Sequence, residues 1–144
     1  MGYFLDLCLR MWPPATGVLA RVTREETKIG PYTLPADMLI GTNIIGLMHN
    51  PKFYDNPEKF NPDRWATKGA HTTESYSFIP FSAGRKSCIG KYLALMETKI
   101  IVIQLLNEFD FERTEVPLRL RARFLYEPIE EDLIRLKVGG MGLQ

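Results

Sequence analysis

Residues 78–97 read FIPFSAGRKSCIGKYLALME. One cysteine, Cys88, stands in a short loop of small residues. An aromatic–proline run (Phe78, Pro80, Phe81) precedes it, and glycines stand at 84 and 90. The apolar segment from Gly90 to Phe109 has the length and pattern of a buried helix. Leu93, Met96, Ile100 and Ile103 share one face, and Tyr92, Leu95, Val102 and Leu106 broaden it. Cys88 then lies just ahead of a helix N-terminus, where unpaired N–H groups and the positive end of the dipole favour a thiolate. A thiolate in such a loop serves as a metal ligand or a nucleophile. By position alone the plainer reading comes first: a free cysteine is usually a small buried hydrophobe. A helix apolar nearly all round also needs neighbours on every side, in part from beyond this chain.

The 144 residues suffice for one ordinary domain with its own core. A charged fraction of 24% and a hydrophobic fraction of 45% are those of a globular chain. A net charge of +1, with Lys and Arg scattered, gives no global case for nucleic acid or an anionic membrane. Two cysteines, Cys8 and Cys88, make no disulfide framework and suggest the reducing, intracellular side. With His49 and His71 they lack the spacing of a structural zinc site. His71, in the polar stretch 66–77, reads as an exposed loop residue. Uninterrupted apolar runs such as Ile100 to Ile103 are far too short to span a bilayer, so no membrane segment is expected here.

Upstream of the loop, Tyr3 to Trp12 reads as a helix end stopped by Pro13 and Pro14. Its position suggests a chain that starts inside a larger element. VLARVT, within 16–27, reads as a short strand. Tyr32 to Leu34, followed by Pro35, Ala36 and Asp37, suggests a hairpin, and Met38 to Met48 a strand running into a short helix. Asn50 to Trp65 carries Asn-Pro pairs at 50–51, 56–57 and 61–62, which make it ordered irregular chain pinned by aromatics. Downstream, Leu118 to Phe124 alternates as a half-buried strand with arginines facing out. Tyr126 to Glu131 is expected to be a turn, Leu133 to Val138 the returning strand, and 139–142 a frayed tail.

These features follow one order: Arg10-Met11-Trp12-Pro13-Pro14, Arg21 on a strand, His49-Asn50-Pro51, Pro57 to Phe60, Pro62-Asp63-Arg64-Trp65, and Phe81-x-x-Gly84-x-Lys86-x-Cys88-x-Gly90. In that order the chain resembles the C-terminal part of the cytochrome P-450 (haem-thiolate monooxygenase) family, over roughly residues 3 to 112. The resemblance implies a mainly α fold with small β-sheets (α+β). Residues 1–144 would be the C-terminal portion of a single domain, without its N-terminal part and its distal oxygen-activating helix. The implied activity is insertion of one oxygen atom from O2 into an apolar small-molecule substrate, with electrons from a reductase. Full-length relatives are often anchored in the endoplasmic reticulum membrane.

The resemblance also implies site roles. Cys88 becomes the axial ligand of haem b iron. A thiolate ligand pushes electron density onto iron, and loop N–H donors keep it deprotonated. Gly84 and Gly90 let the backbone turn close to the porphyrin. Phe81 stands where the family packs an aromatic near the sulfur. Lys86 and Arg21 supply cations for the propionates, although Lys86 lacks the planar fork of the arginine often found there. Thr16, Gly17 and Leu19 match a segment that borders the substrate pocket, and Phe124, Leu125 and Tyr126 are expected to join them.

Two departures stand out. The family's buried Glu-x-x-Arg pair meets a third residue, the arginine matched by Arg64. Arg10 and Arg64 are present, but Leu7 holds the glutamate's place and Asp6 points about 100° away around the helix. Either this chain compensates for the missing carboxylate elsewhere, or a few residues before Met11 have been lost; the second is the expectation. Ala94-Leu95-Met96-Glu97-Thr98 looks like the family's oxygen-activating acid–Thr motif, but it follows the cysteine loop and is rejected as that motif. Two other readings remain open: a truncated, non-catalytic fragment with weak or no haem binding, and a zinc or thiol-redox domain.

Overall fold

The structure, a computed structural model, describes residues 2–15, 19–65, 76–123, 125–131 and 133–138. Helix α1 (Gly2–Met11) ends where fully buried Pro13 follows. Strand β1 (Leu19–Val22) pairs antiparallel with β4 (Leu39–Thr42). Between them β2 (Thr27–Ile29) and β3 (Tyr32–Leu34) form a hairpin. Its turn falls at Gly30-Pro31, ahead of the Tyr32–Leu34 run and not after it. Gly30 at φ +57° supplies the left-handed first position that a two-residue hairpin loop needs. Helix α2 (Ile44–Met48) follows β4, with the Asn43 side chain accepting from the Gly46 N–H as its N-cap. The expected strand-to-short-helix run is thus present.

Residues 50–61 form successive turns, closed by a 3-10 helix at Pro62–Trp65. Among the described residues, Leu5, Leu7, Met11, Pro13, Ile44, Met48 and Trp65 are buried apolar side chains. Leu7, Met11 and Trp65 make one cluster, with Phe78 packed against it. The core thus lies between α1, α2 and the turns, beside the segment that leads to the cysteine loop.

Helix α3 (Lys91–Glu108) matches the predicted helix closely. None of its residues is buried within the described structure, and Tyr92, Leu93, Met96, Ile101 and Leu106 are all more than half exposed. The apolar surround inferred for it is not supplied by the described residues.

Two expectations for the tail need correction. Tyr126–Pro128 is a strand, β7, paired with β6 (Leu120–Ala122), not a turn. Pro128 is tolerated because it ends a two-stranded ladder, where one missing N–H breaks no inner bond. The strand within Leu133 to Val138, β8 (Ile134–Val138), returns to β5 (Phe109–Arg113) and not to β6. Phe109 and Phe111 stand opposite Val138 and Leu136, and Lys137 pairs with Glu112 at 2.9 Å across the same ladder. His71 and the stretch 139–142 lie outside the described residues. No described helix is long and apolar enough to cross a membrane.

Candidate functional site

The cysteine loop is built by its backbone. After Phe78, the Ser82 N–H donates to the Ile79 carbonyl at 2.9 Å. Ser82 (φ +64°) and Gly84 (φ +70°) both take left-handed backbone conformations. Gly84–Lys86 is a single 3-10 turn, closed by the Ser87 N–H on the Gly84 carbonyl at 3.1 Å. The Cys88 N–H then donates to the Phe81 carbonyl at 2.8 Å, which folds the loop back on itself. Gly90 is the N-cap of α3 and offers no side-chain cap. The Cys88 thiol is free and exposed at this helix start.

The two glycines differ. Gly84 needs its left-handed φ, which costs a residue with a Cβ about 1–2 kcal/mol. Gly90 has an ordinary φ of −81°, so its backbone conformation is open to any residue. A Cβ there would meet the Cys88 Sγ at 3.8 Å, an ordinary van der Waals contact.

Phe81 is half-buried and faces a cavity of about 280 Å³ between α1 and α3, shared with Cys8, Trp12, Ala94 and Leu95. Burial raises the Cys8 thiol above its ordinary value of 9.0. Lys86 is exposed at the end of the 3-10 turn. Arg21 is exposed on β1, and its Nη1 donates to the Ala20 carbonyl at 2.8 Å. Among the described residues, no hydrogen bond or ion pair joins Arg21 or Lys86 to Cys88. Both cations lack a carboxylate partner there.

The tail meets the chain just ahead of the first expected pocket segment. Leu125 bridges Ala15, and the Tyr126 N–H donates to the Pro14 carbonyl at 2.9 Å. The tail thus lies beside the chain that leads into Thr16. Thr16, Gly17 and Phe124 themselves lie outside the described residues, and only the backbone of Leu19 is described.

Arg10 is fully buried. Its Nη1 donates to the Met48 carbonyl at 2.9 Å and its Nη2 to the Pro57 carbonyl at 2.6 Å. Its guanidinium lies 5.0 Å from the Tyr54 ring centroid. Burial, and then the charge of Arg64, push the Arg10 guanidinium below its ordinary value. Arg64 donates to the carbonyls of Asp55, Asn56 and Lys59 at 2.7–3.0 Å. Carbonyls and an aromatic face thus take the place of the missing carboxylate. Sequence reasoning missed Tyr54 and these carbonyls. The signal was the aromatic density of 50–65, which was read as anchoring alone.

The residues present fit a haem: a free, exposed thiol at a helix start, a loop turned by Gly84, and exposed cations at Arg21 and Lys86. Comparison with protein-family models matches residues 8–133 to Cytochrome P450. Cytochrome P450 3A19 of Capra hircus aegagrus is 30% identical over 139 residues, 94% of this chain and 63% of that protein. Thromboxane-A synthase of Sus scrofa is 32% identical over 92% of this chain and 25% of its own length. Cytochrome P450 monooxygenase apf8 of Gibberella fujikuroi is 40% identical over 81% and 34%. The crystal structure of the cytochrome P450DA heme domain superposes with a TM-score of 0.82 at 26% identity, over 95% of this chain and 30% of that one. The chain therefore spans between a quarter and two thirds of these curated relatives. Its fold is a partial haem-domain fold and haem b is the family's cofactor. The chain belongs to the cytochrome P450 family, the haem-thiolate monooxygenases.

Proposed function

We propose that residues 1–144 form the C-terminal, cysteine-bearing portion of a single haem-thiolate monooxygenase domain, with the Cys88 Sγ as the axial haem ligand. The observation that carries this reading is the exposed Cys88 thiol, set at the start of an 18-residue helix by its own N–H on the Phe81 carbonyl. When bound, haem b supplies the O2 chemistry that inserts one oxygen atom into an apolar organic substrate, with electrons from a reductase. The sulfur stands at the N-terminal end of α3, where the helix dipole favours negative charge. Phe81 shields the loop from water on the side of α1. Arg21 and Lys86 are the cations that would neutralise the propionates, Arg21 with a planar guanidinium and Lys86 with a point charge. Thr16, Gly17, Leu19, Phe124, Leu125 and Tyr126 border the substrate. The bridge of Ala15 to Leu125 supports that grouping.

A second reading has its own observation. The exposed apolar residues around α3 favour a piece that binds haem weakly or not at all by itself. Haem titration of the purified chain followed by Soret absorption tests the proposal. Saturable 1:1 uptake that Cys88→Ser weakens at least tenfold is the expected result. Uptake indifferent to Cys88→Ser would overturn it.

A further inference from the structure

We propose that Tyr54 is a positioning residue for the cysteine loop: its ring holds the buried Arg10 guanidinium while its hydroxyl fixes the Ser77 carbonyl, where the chain begins its run to Cys88. The consequence for haem rests on the function proposed above; the mechanical link does not.

The turn that carries Tyr54 is clamped from two directions. Arg10 donates to the Pro57 carbonyl, and Arg64 to those of Asp55, Asn56 and Lys59. The Tyr54 N–H also closes on the Asn50 carbonyl at 3.1 Å. This fixes the direction of the ring. From there the phenol hydroxyl donates to the Ser77 carbonyl at 3.1 Å, across 23 positions of sequence. Burial raises the phenol above its ordinary value, so it remains a donor across the neutral range.

Ser77 is followed by Phe78, which meets the Trp65 ring edge-on at 5.7 Å and packs on the Leu7–Met11–Trp65 cluster. The loop is thus held at its start by one polar and one apolar anchor. It is closed at its end by the Cys88 N–H on the Phe81 carbonyl. The thiol itself is exposed, so its direction depends on these backbone anchors and not on packing around the sulfur. The plain alternative is a core aromatic whose hydroxyl is incidental. The two differ in what Tyr54→Phe does, since Phe keeps a ring for Arg10 and removes only the bond to Ser77.

Amide hydrogen exchange on the haem-free chain is the test, with the Trp12 amide as reference because it closes on the Cys8 carbonyl at the end of α1. Tyr54→Phe is expected to speed exchange at the Ser82 and Cys88 amides about three- to tenfold, the weight of one hydrogen bond, and to leave Trp12 unchanged. Tyr54→Leu, which also strips the ring from Arg10, is expected to speed exchange at all three. Unchanged Ser82 and Cys88 amides in Tyr54→Phe, or equal acceleration at Trp12, would overturn the inference. The ferrous–CO spectrum of haem-loaded protein separates this from the haem reading. Tyr54→Phe is expected to move part of the thiolate-type band to a non-thiolate form at equal haem content. A parent chain with no thiolate-type band, but with loop exchange sped by Tyr54→Phe, would sink the haem reading and leave the positioning role standing.

Discussion

Among the described residues, the buried Nε–H groups of Arg10 and Arg64 both lack a hydrogen-bond acceptor, although the other nitrogens of each guanidinium reach backbone carbonyls. Leu7, one helical turn before Arg10, is fully buried and contributes only apolar contact. Leu7→Glu would place a carboxylate within reach of those donors. Removing one partner from a buried ionic network costs about 3–5 kcal/mol, so restoring it outweighs the loss of about 1.5–3 kcal/mol from burying leucine. The expected outcome is a higher urea midpoint and slower loss of haem to an apo-globin scavenger. No change in either would show that the carbonyl cage already suffices.

Tyr54 gives a pH signature. Its folded value lies above the ordinary 10.0, chiefly through burial. A group whose folded value is raised contributes stability that is complete below the unfolded value. That contribution is lost as pH rises through the folded one. The chain is therefore expected to hold its urea midpoint up to about pH 10 and to lose it above. Tyr54→Phe is expected to fall less steeply over the same range; parallel slopes would contradict this.

The two thiols are expected to react in a set order. Cys8 is half-buried and its thiol is raised above 9.0, so it holds little thiolate at pH 8. Cys88 is exposed. Iodoacetamide at pH 8, mapped by peptide mass, is expected to label Cys88 first and Cys8 at least several-fold more slowly. Haem added beforehand is expected to protect Cys88 alone.

Ser82 and Gly84 are expected to respond with opposite signs. Both sit at positive φ. Gly84→Ala meets no atom within 4 Å, so its cost is backbone conformation alone, about 1–2 kcal/mol. Ser82→Gly relieves a similar strain but adds unfolded-chain freedom, which leaves a change of under about 1 kcal/mol in the stabilising direction. Urea denaturation of both variants checks the pair.

Local chemistry made much of this fold legible. Pro13 ends α1, Gly90 and the apolar run delimit α3, and VLARVT gives β1. Strand partners were not legible, because period-two alternation marks a strand without saying which strand it meets. Hence β8 was assigned to the wrong neighbour and β7 was read as a turn around Pro128. At the site, Cys88 and Gly84 were readable as types at a spacing. The support of Arg10 by Tyr54, Met48 and Pro57 was not, since two of the three contacts use backbone carbonyls that every residue possesses.

The central claim is that the Cys88 sulfur ligates haem iron. The most direct measurement is the ferrous–CO absorption spectrum of the purified 144-residue chain supplied with haem. A red-shifted, thiolate-type Soret band that Cys88→Ser abolishes is the predicted result. A spectrum without that band, or one that Cys88→Ser leaves intact, would contradict it.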